Sequence, residues 1–147
     1  MADQIFDHEK LDVYGLSIEY AGETFRIAET LSGLHRHSRD QWLRAAQSIP
    51  LNIAEGNAEG NGKRSLKDRA RFFDISRGSA LECSAIQDVL LISGAISKET
   101  SDSMKAKLKR IVAMRSDRVS ESSAWYDDAA IDYEHEHEHE HRCAEHE

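Results

Sequence analysis

Residues 48–65 read Ser48-Ile49-Pro50-Leu51-Asn52-Ile53-Ala54-Glu55-Gly56-Asn57-Ala58-Glu59-Gly60-Asn61-Gly62-Lys63-Arg64-Ser65, and the fold turns on what this stretch is. Its first half keeps the apolar period of a helix through Gly56. A tandem Ala-Glu-Gly-Asn at 54–57 and 58–61 then breaks the period, and Lys63-Arg64-Ser65 opens onto a second long periodic run. The stretch is therefore a helix end, a glycine-rich hinge and the start of the next helix. Gly62-Lys63 invites comparison with a phosphate loop, but position 64 is Arg where Ser or Thr is required. The earlier glycine position is Asn57, and no strand precedes the loop. What remains of that idea is a helix start whose backbone N–H groups can hold a phosphate.

On the N-terminal side of the hinge, residues 38–58 place Trp42, Ala46, Ile49 and Ile53 on one stripe with Leu43 and Pro50 beside it. Ser38 or Asp40 is suited to cap the start. Pro50 has no N–H and its ring collides with the carbonyl four residues back, so either a kink or a break into two short helices at 48–49 is expected. Residues 65–93 form the longest periodic segment. Leu66, Ala70, Phe73, Ser76, Ala80, Cys83 and Leu90 follow one stripe; Phe72, Ile75, Ser79 and Ile86 add a second, and a face this broad predicts contact with more than one neighbour. Ser65 and Asp68 make a weak capping box. The small residues Ser76, Gly78, Ser79 and Ala80 allow another backbone to approach closely.

Upstream, Tyr14, Ile18, Ala21, Phe25, Ala28 and Leu31 advance by steps of four and three, which predicts an amphipathic helix over 10–34 ending at Ser32-Gly33. Downstream, Gly94 stops the long helix and Ser97 caps another, with Glu99 near its positive end. Met104, Leu108, Ile111 and Arg115 line this fourth helix, flanked by Val112 and Val119, and it is expected to reach about residue 120. Residues 122–126, with Trp125 and Tyr126, either continue it or pack back on the bundle. Four amphipathic helices with short connections predict an all-α fold, an antiparallel up-and-down four-helix bundle over residues 8–120. Residues 121–147 are an acidic Glu/His-rich tail, expected to be disordered.

The formal net charge of −8 hides a strong asymmetry. Residues 1–34 hold seven acids and two bases, residues 35–118 sixteen bases and ten acids, and residues 119–147 one base and ten acids. A basic middle between acidic ends permits a nucleic-acid surface on the folded part, with the tail as its competitor. Within that middle, Lys63, Lys67 and Arg71 recur every four residues with Arg64 adjacent, and Lys105 and Lys109 repeat the spacing on the fourth helix. Such stripes neutralise phosphates, and equally they make an ordinary solvated helix face. Aromatic residues are not interleaved with them, so recognition would be of backbone or shape rather than of bases.

The patterns that chemistry demands are missing from the folded part. Di-metal bundles need Glu-x-x-His pairs aimed at the core, and within residues 1–133 none occurs. The repeat at Glu134–His141 meets the spacing only because it alternates Glu and His; its histidines can collect Zn or Ni weakly, and a solvated low-complexity extension is the plainer reading. Cys83 sits on an apolar stripe as a small core residue, and His35 and His37 have no orienting partner in sequence. No catalytic residue, cofactor or catalytic metal is assigned. Cys83 and Cys143 form no spaced framework, so reduced thiols in a cytoplasm are expected. Met1-Ala2-Asp3-Gln4 leads into no apolar region, and no run approaches the roughly 20 apolar residues of a membrane span, so a soluble cytoplasmic protein is expected. Asn52, Glu55, Arg77 and Glu82 are polar residues in or beside the apolar stripes, with Arg77 expected to pair with Glu55 or Glu82 and set register.

Two motifs carry a resemblance. Arg44-Ala45-Ala46-x-Ser48-Ile49-Pro50-x-Asn52-Ile53-Ala54-Glu55-Gly56, followed by Phe72-x-x-Ile75-x-Arg77-Gly78-Ser79-Ala80-x-Glu82, resembles the four-helix-bundle proteins encoded within intervening sequences of 23S ribosomal RNA genes. The accessory variability protein of diversity-generating retroelements is similar. The likeness covers about residues 8–120, and Asn52, Glu55, Gly56, Arg77, Gly78 and Glu82 are its structural motif positions. It implies a homopentameric barrel of bundles without catalytic activity and, in the retroelement branch, a basic surface that binds RNA or DNA and a reverse transcriptase. Two functional readings follow: a nucleic-acid-associated oligomeric accessory protein, or a structural module that binds protein alone.

Overall fold

The computed structural model describes residues 4–57 and 66–114. Among them are four α-helices: α1 at Asp12–Ala28, α2 at Arg36–Gly56, α3 at Leu66–Ile92 and α4 at Lys98–Val112, with short 3-10 turns at Asp7–Lys10 and Gly33–His35. No strand occurs among the described residues. Each helix packs against its neighbours in chain order and α4 returns to α1, which closes an antiparallel up-and-down ring. The α2–α3 contact is the most extensive. The hinge, Ser65 and the tail from residue 115 on lie outside the described residues, and with them the expected capping box; the fourth helix ends at Val112, with Ala113 at its C-cap, short of the expected residue 120.

Up to Gly56, the stretch around Pro50 behaves as read. Helix α2 runs unbroken through the buried Pro50, so the reading as two short helices is not realised. Trp42, Ala46, Ile49 and Ile53 are all fully buried. Part of the motif, Ser48, Ile49, Asn52, Gly56 and Ser79, lies at the α2–α3 seam. Ser48 Oγ accepts from Asn52 Nδ2 and from Ser79 Oγ, each at 2.9 Å, and Ser76 Oγ donates to Ile49 O at 3.0 Å, next to the proline. Gly56 faces Phe73 so closely that a Cβ would lie 3.0 Å from its Cζ. Gly78 is different: it is exposed, and an added Cβ there meets nothing within 4 Å. Of the small run, Ser76, Ser79 and Ala80 are buried and serve close packing, whereas Gly78 does not serve it within this chain.

Helix α1 is rotated from the expected face. Ile18 and Phe25 are each 47% exposed, while Leu16, Ser17, Tyr20, Thr24 and Ala28 are buried. Polar residues enter because their hydroxyls are satisfied locally: Ser17 Oγ donates to Tyr14 O at 2.7 Å and Thr24 Oγ1 to Tyr20 O at 2.9 Å. Ile75, placed on the second stripe of α3, is likewise exposed. The helix ends at Ala28, short of Gly33, whose φ of 59° instead serves the 3-10 turn. Helix α2 starts at Arg36 after His35 with no side-chain cap, so neither Ser38 nor Asp40 caps it. Gly94, at φ 79°, does close α3: its N–H reaches Leu91 O and the Ala95 N–H reaches Leu90 O, the paired bonds of a left-handed C-terminal cap. Ser97 caps α4, its Oγ accepting from Thr100 N at 3.1 Å.

At the centre, one polar relay joins all four helices. Trp42 Nε1 of α2 donates to Tyr20 Oη of α1 at 3.0 Å, and Tyr20 Oη donates to Gln87 Oε1 of α3. Gln87 Nε2 then donates to Ser101 of α4, at 3.1 Å to its carbonyl and 3.2 Å to its hydroxyl. All four side chains are buried. Burial holds the Tyr20 hydroxyl well above its usual range.

Candidate nucleic-acid interface

Of the predicted basic residues, Lys105 and Lys109 lie on the seam between α3 and α4. The two helices run antiparallel: Lys105 Nζ pairs with Asp88, and at the other end Arg77 Nη1 donates to Met114 O at 3.1 Å. Helical spacing of seven places Lys67, Asp74, Leu81 and Asp88 on one line of α3, with Arg71 one turn from Lys67. Lys105 and Lys109 stand one turn apart on α4. The seam thus carries Lys105, Lys109 and Arg77, while Arg71 and Lys67 lie nearer the start of α3, beyond the Arg77–Met114 contact, so the two predicted stripes do not merge into one. Lys63 and Arg64 lie outside the described residues.

Two aspartates blunt this line. Asp88 holds Lys105, and Asp74 pairs with Arg77 through Nη2. Arg77 therefore meets Asp74 and a helix-end carbonyl, and the expected pair with Glu82 does not form, because Glu82 lies exposed on a different side of α3. Glu55 is exposed on the last turn of α2, and Lys67 is half-buried. Arg71 and Lys109 are exposed and have no ion-pair partner among the described residues. Arg110, which sequence reading passed over, is exposed and unpaired in the same way beside Lys109. The signal for it was weak, since one cation outside a four-residue repeat does not stand out. Lys107 plays another part: half-buried, it pairs with Glu23 and ties α4 to α1.

Between the two helices lies a cleft of about 490 Å³ lined by Ala80, Leu81 and Ser84 of α3 and by Leu108, Val112 and Ala113 of α4. Among the described residues, Lys105 and Lys109 are the only charged ones in its wall. The surface there is apolar ground with a cationic margin. It offers charge and an apolar trough, and no nucleophile or acid–base pair.

Of the remaining candidates Cys83 resolves as core, whereas His35 is half-buried and His37 exposed. Cys83 is fully buried, and its thiol is pushed up to about 12, mainly by loss of water and partly by the nearby Glu82 charge, although a contact with Tyr20 opposes the rise. A thiol so held is a poor nucleophile at neutral pH. Among the described residues no group of three or more His, Cys, Asp or Glu could hold a metal ion. No described helix is long and apolar enough to cross a membrane.

Comparison with known proteins agrees with this architecture. A solved structure of a protein of unknown function from the S23 ribosomal protein family of Bacteroides thetaiotaomicron VPI-5482 superposes with a TM-score of 0.60. It is 22% identical, and the match covers 69% of this chain and 92% of that one, a likeness that speaks to the fold. No curated protein gives a significant match. The helices and both motifs fall within residues 9–117, the span matched by the model of one protein family, and the chain belongs to that family, the 23S rRNA-intervening sequence proteins.

Proposed function

We propose that this protein is a non-enzymatic, oligomeric accessory protein that associates with RNA or DNA through the α3–α4 seam. The observation that supports this most directly is Lys109, exposed on the seam, with Arg71 exposed farther toward the start of α3, both left without carboxylate partners among the described residues. Charge left unmatched on a folded surface is available to phosphates, and the scarcity of aromatics along the seam favours contact with the backbone over base reading.

Self-association is part of the proposal, with a homopentamer as the state the family resemblance implies. Its physical support is the outward face of α3, where Ile75, Val89 and Ile92 are exposed. The same apolar face favours a second reading, a module that binds protein alone, for which a reverse transcriptase is the partner suggested by the resemblance to retroelement accessory proteins.

A salt titration of binding to a labelled RNA and to a duplex DNA tests the first reading. Affinity should fall steeply with salt. The double variant Arg71→Glu/Lys109→Glu should weaken it roughly tenfold or more and flatten the slope by about 0.7–0.9 for each phosphate no longer neutralised. Absence of binding at low ionic strength, or affinity indifferent to salt, leaves the protein-binding module as the better account.

A further inference from the structure

The cleft between α3 and α4 ends where the described chain ends. Val112 and Ala113 line it, and Met114, buried, has its carbonyl held by Arg77 at 3.1 Å. The described chain therefore ends at the mouth of an apolar trough that no described segment fills. The 33 residues from 115 to 147 begin there. Their first part, residues 119–133, combines Val119, Trp125, Tyr126, Ile131 and Tyr133 with four carboxylates, Glu121, Asp127, Asp128 and Asp132, and has no basic residue. The trough offers the complement: an apolar lining including Leu81, Leu108 and Val112, and two cations, Lys105 and Lys109. Lys105 already shares Asp88, so Lys109 is the one whose charge is unmatched.

We propose that residues 119–133 fold back into the α3–α4 cleft of their own chain, setting their apolar side chains on its floor and their carboxylates against Lys109. The reach is sufficient. Residues 115–118 span up to about 14 Å when extended, and the α4 wall from Lys105 to Ala113 is about 12 Å long, so the chain can reverse and still run its length. A tether this short gives an effective concentration in the mM range, so weak contacts are enough to hold it. Where the seam binds nucleic acid, which rests on the function proposed above, the docked segment covers Lys109 and acts as a built-in competitor; the docking itself does not depend on that reading.

Hydrogen–deuterium exchange on the full-length protein, without nucleic acid, tests the docking separately from the function. Amides in 119–133 should exchange roughly tenfold or more slowly than those in 134–147. Leu81→Glu in the exposed part of the wall, and Trp125→Ser in the segment, should each return 119–133 to the rate of the distal tail, while Lys109→Glu should lose several-fold of the protection. Raising salt from about 50 mM to about 500 mM should act in the same direction as Lys109→Glu. Exchange of 119–133 at the distal rate in the unsubstituted protein overturns the proposal. So does protection that survives Leu81→Glu, as a mere continuation of α4 would. Protection that rises with protein concentration overturns it too, because the occupant would then belong to a second copy.

Discussion

A Cβ at position 56 would press on Phe73 Cζ at 3.0 Å and on the Arg69 carbonyl at 3.2 Å, and Phe73 is itself buried, so neither neighbour has room to yield. Gly56→Ala should therefore destabilise the protein by about 1–3 kcal/mol by overpacking, read as a lower urea midpoint at unchanged slope. Gly78, in the same family motif, should respond oppositely. Nothing in its own chain opposes a methyl group there, so Gly78→Ala should gain about 0.5–1 kcal/mol of helix propensity. A loss instead of a gain would place another molecule's backbone against that face. The two glycines look alike in sequence, and glycine carries no side chain whose period could separate them. Gly56 was legible as a motif position, but the distance that makes it necessary exists only once α2 and α3 are docked. Arg77 makes the same point: that a buried guanidinium needs partners was readable, but that they would be Asp74 and the Met114 carbonyl was not.

Among the elements, α2 and α4 were legible and α1 was not, for a reason that can be located. In α2 the buried positions are apolar, and in α4 all but Ser101 are, so periodicity finds the face; in α1, Ser17 and Thr24 are buried and Ile18 and Phe25 are not. The turn of α1 that Tyr20 requires to meet Trp42 and Gln87 overrides its apolar stripe. Tyr20→Phe would leave the Trp42 N–H and the Gln87 amide oxygen with a partner removed in a dry interior. The expected loss is about 1–3 kcal/mol, out of proportion to the single atom deleted, and thermal or urea unfolding measures it. The Gln87→Leu/Tyr20→Phe double variant should recover part of that loss, since removing both partners is cheaper than orphaning one. The buried acids also give a pH dependence. Cys83 is raised from 9.0 to about 12 and Tyr20 is raised as well, both foremost by burial. The unfolded chain releases these protons first as pH rises, so the folded state binds more protons above pH 9. Stability should be level below that and fall from pH 9 toward 12, by up to about 1.4 kcal/mol per pH unit for each group in its window. Urea unfolding at a series of alkaline pH values checks the sign, and Cys83→Ala should remove the earliest part of the decline.

For the whole molecule, the bundle was the most legible feature because it needs only periods, caps and short connections, and those are local. The seam was half legible: both basic stripes were visible, but that they lie at different levels of the bundle, and that Asp88 neutralises Lys105, depends on antiparallel packing across residues far apart in the chain. The exposed Ile75, Val89 and Ile92 make a prediction about assembly. Light scattering should give a mass about five times the 16.6 kDa of one chain, and Ile75→Glu/Val89→Glu should drive it down. A monomeric mass for the unsubstituted protein would count against the pentamer. The relay through Trp42, Tyr20, Gln87 and Ser101 bears on how such a molecule comes apart. Each helix owns one link, and neither hairpin, α1 with α2 nor α3 with α4, can satisfy its buried polar atoms alone. There is accordingly no detachable half, and the bundle should melt in one concerted transition, with the slowest-exchanging amides spread over all four helices instead of gathered in one pair.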